Sequence, residues 1–262
     1  MFEQELLKYD ELVQRYQEEI VAPMEPASYN KYAEILFSCH SCGIEGNSFT
    51  VDDTRALFEQ QLGFYPVGRT LFECQEMADH FKAYEYTFSD LERNLDEGFI
   101  KEINRLVTQN TLSYKYPDTH PGYYTTVDMA AGDTVFGNHD KLIQRLPSLL
   151  HSTNEAIYNR SSHPLLISAR FHGYFVYLHP FRDGNGRTAR LLSNWILAKF
   201  GYPLMIIRRE EREEYISALR SIRKEGTDEH LLSFFLKTAT HKLESAIQQK
   251  KKNSKSLSFI FL

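Results

Sequence analysis

His179-Pro180-Phe181-Arg182-Asp183-Gly184-Asn185-Gly186-Arg187-Thr188-Ala189-Arg190 decides how this chain is read, because it joins two helical patterns through a charged, glycine-rich turn. The helix ending at Leu178 breaks at His179-Pro180, since proline disfavours helix in the residue before it. A new helical pattern then begins, with Arg190, Leu191, Asn194, Trp195 and Ala198. A glycine-rich turn feeding a helix N-terminus presents unpaired backbone N–H groups and the positive end of the dipole. Glycine also lets the backbone come close to a phosphate. Gly184, Asn185 and Gly186 therefore read as an anion hole.

Arg187 and Arg190 stand in the first turns at i,i+3. The dipole opposes cations there, so they make sense facing a highly charged anion such as a polyphosphate. Asp183 contradicts a pure anion site unless a magnesium ion bridges it to phosphate. His179, at the helix break, is placed as a general base for an attacking hydroxyl. Each feature alone has an ordinary explanation, since Asp-Gly and Asn-Gly are common turn pairs and a histidine often caps a helix. Together they satisfy one mechanism.

Outward from this stretch, helical periodicity dominates. Helices are expected near 3–20, 28–40, 52–62, 72–86, 88–109, 139–158, 163–178, 186–200, 209–224 and 227–250. Ile167, Phe171, Tyr174 and Leu178 form one apolar stripe. Residues 113–138 differ, with Pro117, Pro121, Gly122, Gly132 and Gly137 around the strand-like Thr125-Thr126-Val127-Asp128-Met129. A small hairpin or flap is expected there. The fold class is all-α with that small β-hairpin flap.

A net charge of -5 argues against broad nucleic-acid binding, so no nucleic-acid partner is expected. No apolar run reaches the roughly 20 residues needed to span a bilayer, so no membrane partner is expected either. The opening residues lack the order of a signal peptide, and the apolar Phe259-Ile260-Phe261-Leu262 is too short for an anchor. The expected location is the cytoplasm. Cys39-His40-Ser41-Cys42 has the spacing of a zinc half-site, but the remaining cysteine, Cys74, stands alone. Buried free thiols are the simpler reading.

The twelve-residue stretch matches, without departure, the signature of the Fic family (the Fido superfamily). Leu191-Leu192-Ser193-Asn194 and Gly201-Tyr202-Pro203 resemble the usual continuation. The resemblance implies a helical fold and transfer of AMP from ATP to a Ser, Thr or Tyr hydroxyl of a target protein. It implies that His179 is the base and that Asp183 holds Mg²⁺. Gly184, Asn185, Gly186, Arg187, Thr188, Ala189 and Arg190 would bind the nucleotide phosphates, the Asn185 side chain included. The flap tip, Ala131, Gly132, Asp133 and Thr134, would face the nucleotide, although Phe136-Gly137 replaces the family's usual Pro-Pro pair. Tyr215 would line the adenine side, or else stand at the solvent edge of a charged helix. The implied division is an N-terminal helical region over 1–99, a core domain over 100–236, and a C-terminal helix and tail over 237–262.

Ser41-Cys42-Gly43-Ile44-Glu45-Gly46 fits the family's inhibitory pattern, and Asn47 extends the likeness. Otherwise it is a loop before a helix capped by Thr50 with Asp53 in the first turn. In the inhibitory reading Glu45 pairs with Arg190, ideally bidentate, and occupies the cation that the gamma phosphate needs. Two alternatives stay open. One is removal of AMP with Glu45 acting on a water, and the other is an ATP-binding regulatory module without turnover. Gly184-Asn185-Gly186 argues against a kinase-like branch. The target protein is not visible in the sequence. The resemblance leaves room for self-modification and for a homodimer.

Overall fold

The computed structural model describes residues 2–63, 66–131, 134–135 and 139–253. It is helical. The helices are α1 (Glu3–Tyr16), α2 (Pro26–Ile44), α3 (Val51–Gln60), α4 (Leu71–Phe88), α5 (Glu97–Thr108), α6 (Leu112–Lys115) and α7 (His139–Ile143). They continue as α8 (Leu146–Asn159), α9 (Pro164–Leu178), α10 (Asn185–Lys199), α11 (Arg212–Glu225) and α12 (Glu229–Asn253). Two short strands, β1 (Ala130–Ala131) and β2 (Thr134–Val135), pair antiparallel, Ala130 opposite Val135. Among the described residues, no helix is long and apolar enough to cross a membrane.

Local chemistry sets the boundaries. Thr50 and Thr70 begin α3 and α4 with capping boxes completed by Asp53 and Glu73. The expected helix over 88–109 is broken, because Asp90 accepts from the Glu92 and Arg93 backbones and Asp96 caps a fresh start at Glu97. The expected helix over 139–158 divides into α7 and α8 at Pro147, whose ring excludes a continuing turn at Ile143. Thr125 to Met129 is not a strand. Thr125 Oγ1 accepts from the Val127 N–H and Asp128 from the His139 N–H, so side chains take the bonds a ladder would need. In the apolar stripe of α9, Ile167, Phe171 and Leu178 are buried while Tyr174 is 40% exposed, and the neighbouring Phe175 is buried.

α10 is the axis, buried along almost its whole length and packed by α9, α4, α5 and α2. It is not apolar. Asn194 secures the chain that follows by donating to the Met205 carbonyl and accepting from its N–H, at 3.0 and 2.7 Å. One apolar core lies where α5, α8 and α9 meet α10, around Phe99, Phe171, Phe175 and Trp195. A second lies where α1 and α11 meet α12, around Tyr9, Val13, Leu231 and Phe235. α12 runs unbroken across 236–237.

Gly173 lets α9 approach α11 and α12, since a Cβ there would stand 2.5 Å from Ile222 Cδ1 and 2.6 Å from Leu231 Cδ2. Gly173→Ala is expected to destabilise the protein by about 1–3 kcal/mol in urea unfolding, the usual cost of overpacking.

Candidate active site

The loop before α10 is stitched at both ends. His179 ends α9 in the left-handed region, φ 51°, and its N–H bonds the Phe175 carbonyl at 3.0 Å. The next carbonyl, of Pro180, accepts from the Thr125 N–H at 2.9 Å, and Tyr124 bridges Phe181. Asn185 folds back on Phe181, accepting from its N–H at 2.9 Å and donating to its carbonyl at 2.7 Å. Gly184 caps α10 with φ 77°, and a Cβ there would sit 2.7 Å from Thr108 Cγ2 of α5. Both the conformation and the close approach require glycine.

Asp183 stands in front of α10. Its carboxylate accepts from the Gly184 N–H at 2.6 Å and pairs with Lys115 at 3.1 Å and Arg187 at 3.4 Å. Burial pushes this carboxyl up, but Arg187 and Lys115 outweigh it and hold it below the usual aspartate range. One charged carboxylate of this kind, among groups that recognise phosphate, suits Mg²⁺, which takes one or two carboxylates plus phosphate oxygens and water.

The two arginines of α10 find their counter-charges in the N-terminal helices. Arg187 pairs with Glu76 of α4 at 2.7 Å, the side chains being 2% and 5% exposed. Glu76 also accepts from Asn47 at 2.9 Å. Arg190 reaches α2, with Nε on Ser41 Oγ at 3.0 Å and Nη2 on the Ser41 carbonyl at 2.8 Å and on Glu45 Oε1 at 2.7 Å. The Glu45 pairing therefore uses a single nitrogen and is not bidentate, because Ser41 occupies the Nε edge. Arg190 Nη1 is buried with no hydrogen-bond acceptor among the described residues.

Glu45 is the C-cap of α2, and its carboxylate lies directly over Gly186, so close that a Cβ there would collide with Oε1. An internal anion thus occupies the positive end of α10. Burial raises the Glu45 carboxyl, but Arg190 and Arg187 outweigh it and keep it below the usual glutamate range. Arg212 secures this end of α2 by donating to the Ile44 carbonyl at 2.8 Å.

His179, Glu45, Gly186, Arg190 and Tyr215 line one cavity of about 290 Å³, together with Arg212 and Arg223. Burial lowers the His179 imidazole to about 4, partly opposed by a hydrogen bond to Val176. It is neutral near pH 7, as a proton acceptor needs to be.

Several expected positions are corrected. The Asn185 side chain is 2% exposed with both ends on Phe181, so it shapes the turn. Of the two readings of Tyr215 the solvent edge is excluded, for it is 1% exposed, lines the cavity with His179, and its hydroxyl bonds His172 at 2.7 Å. Thr188 and Ala189 are fully buried, and Thr188 Oγ1 accepts from Asn104 at 3.3 Å. Gly132 and Asp133 lie outside the described residues, while Ala131 and Thr134 are backbone partners in the hairpin. Cys39, Cys42 and Cys74 are buried and free. Glu76, Asn104, Lys115 and His80 were not anticipated. Glu76 and His80 stand at i,i+4 on α4, a spacing that places them on one face and does not name their partners.

Residues 94–197 match the family model described as the Fic/DOC family. The chain is 31% identical over 200 residues to a protein adenylyltransferase Fic of Nematostella vectensis, covering 75% of this chain and 44% of that one. It is 34% identical over 183 residues to one of Drosophila willistoni, covering 69% and 35%. The chain thus spans less than half the length of these relatives. Among solved structures, it is similar to a Fic domain containing signaling protein from Bacteroides thetaiotaomicron, with TM-score 0.79 and 24% identity over 94% of this chain and 97% of that one.

Replacing Glu76 leaves a buried guanidinium without its nearest counter-charge. Glu76→Ala is expected to cost about 3–5 kcal/mol by urea unfolding. A loss under about 1 kcal/mol would show that the pair does not support α10.

Proposed function

The chain belongs to the Fic family, and on that premise we propose that it is an autoinhibited protein adenylyltransferase. It moves AMP from ATP to a Ser, Thr or Tyr hydroxyl of a target protein. The observation that carries this reading is the Glu45 carboxylate on Arg190 and over Gly186, a built-in anion where a phosphate would bind, in the same cavity as a neutral imidazole.

In this mechanism the target hydroxyl oxygen bonds the alpha phosphorus, and the bond from that phosphorus to the pyrophosphate oxygen breaks. The hydroxyl proton passes to His179, whose depressed basicity keeps it unprotonated and ready. Backbone N–H groups at Asn185 and Gly186 receive phosphate oxygens at the dipole's positive end, the Gly184 N–H being held by the Asp183 carboxylate. Arg187 and Arg190 balance the charge of the departing pyrophosphate. Asp183 is the residue that would hold Mg²⁺, and the ion would neutralise phosphate charge. Holding the groups in line does most of the work, and a misplacement of about 1 Å can cost roughly a hundredfold.

Glu45 opposes this by taking the Nη2 of Arg190 and the space over Gly186. The same charged carboxylate, lining the cavity with His179, supports a second reading in which it activates water to remove AMP. Mass analysis of a modified target, with and without Glu45, separates the two.

Glu45→Gly is expected to raise self-labelling with tagged ATP by about tenfold to a hundredfold. Unchanged labelling would remove Glu45 as the brake. In that background His179→Ala is expected to abolish labelling, since a positioned base contributes about 10²–10⁴-fold, while calorimetry still detects MgATP binding. Burial lowers the imidazole, so it gains its proton only as pH falls through about 4. Nitrogen NMR of the His179 ring should show one neutral form from pH 6 to 8, and titration in that range would contradict the assigned base.

A further inference from the structure

Two buried histidines flank Arg190 without touching it. On one side, His80 of α4 stands between two α2 hydroxyls, with Nδ1 3.0 Å from Ser38 Oγ and Nε2 3.0 Å from Ser41 Oγ. Ser41 Oγ accepts from Arg190 Nε at 3.0 Å. A guanidinium only donates, which leaves the Ser41 proton free, and we assign it to His80 Nε2, with the ring's own proton on Nδ1. Burial, reinforced by Arg187 and Arg190, lowers this imidazole far below the usual histidine range and keeps it neutral.

On the other side, His172 of α9 repeats the arrangement. Ser193 Oγ donates to the Ala189 carbonyl at 2.7 Å, so it accepts from His172 Nδ1 at 3.0 Å. The free lone pair of Nε2 then receives the Tyr215 proton at 2.7 Å. With its proton committed, the Tyr215 oxygen keeps its lone pairs for a donor, and it lines the same cavity as Arg190. His172 is lowered to about 3 by burial, with Arg190 adding to the effect. Both rings are fully buried.

The two relays reach Arg190 from different helices. Ser41 lies on the same helix as Glu45, one turn before it, and its carbonyl accepts from the same Nη2 that Glu45 takes. Tyr215 and His172 belong to α11 and α9, and Tyr215 lines the cavity with His179. We propose that His80 and His172 are positioning residues for Arg190 with opposite effects: His80, through Ser41, holds the guanidinium against Glu45, and His172, through Tyr215, holds it where a nucleotide phosphate binds. This rests on the reading above that Arg190 receives phosphate.

The test uses Ser41→Ala, His80→Leu and Tyr215→Phe in the full chain and in the Glu45→Gly background. Ser41→Ala removes only a hydroxyl and stands in for His80→Leu should the latter fail to fold. Ser41→Ala and His80→Leu should raise self-labelling roughly tenfold, the worth of one hydrogen bond to a charged group, and should change nothing once Glu45 is absent. Tyr215→Phe should weaken MgATP binding severalfold by calorimetry in both backgrounds. Equal losses from all variants in both backgrounds would mean that the histidines are merely structural, and the proposal would be overturned. If the Glu45→Gly protein neither binds MgATP nor transfers AMP, the functional reading fails, and carbon NMR titration of the Glu45 carboxyl decides the relay instead. Ser41→Ala and His80→Leu should then move that titration upward while Tyr215→Phe does not, and an unmoved Glu45 would end the proposal.

Discussion

Two guanidinium groups buried at the start of one helix are the constraint from which the rest of the arrangement follows. Arg187 and Arg190 are 2% and 3% exposed in the opening turns of α10, where desolvation and the helix dipole both act against a positive charge. A fold can keep such groups only by bringing anions to them. Asp183 from the turn itself is one of these, 3.4 Å from Arg187. The others are Glu76 from α4 and Glu45 from α2, both before the segment 94–197 that carries the family match. The N-terminal helices are therefore part of the charge balance of the site.

The two glutamates are not equivalent. Glu76 is 5% exposed and further tied by Asn47, so its pair with Arg187 is a permanent support. Glu45 is 37% exposed and meets Arg190 through one nitrogen. Partial exposure weakens an ion pair through solvent screening, and a polyphosphate carries more charge and finds the backbone N–H groups as well. One glutamate thus supports α10, while the other is the one that the proposed function would have a nucleotide displace. Hydroxyl groups complete the difference, since Ser41 on α2 bonds both Arg190 and the buried His80, while Tyr215 on α11 bonds the buried His172 and lines the same cavity as Arg190.

Much of the helical framework was legible from apolar spacing, and its errors are instructive. The helix expected over 88–109 fails because Asp90 and Asp96 bond nearby backbone N–H groups, a local competition that periodicity alone does not register. Spacings of four, three and four place Tyr174 in one stripe with Ile167, Phe171 and Leu178, yet it is 40% exposed, because periodicity along one helix does not register where the surface packed against it ends. The resemblance places Asn185 at the phosphates, and in the structure its amide closes the turn on Phe181.

What the sequence determined by itself was the chemistry of residues close together in the chain. The proline break at His179, the glycine cap at Gly184 and the two arginines of α10 follow from short-range backbone and dipole rules, which act within a few residues. Only the tertiary structure decided which distant groups answer them. Ser41 and Glu45 meet Arg190 across 149 and 145 positions, and Glu76 meets Arg187 across 111. Such pairings are set by how α2 and α4 pack against α10, because a buried charge selects its partner by position in space and leaves no periodic mark along the chain.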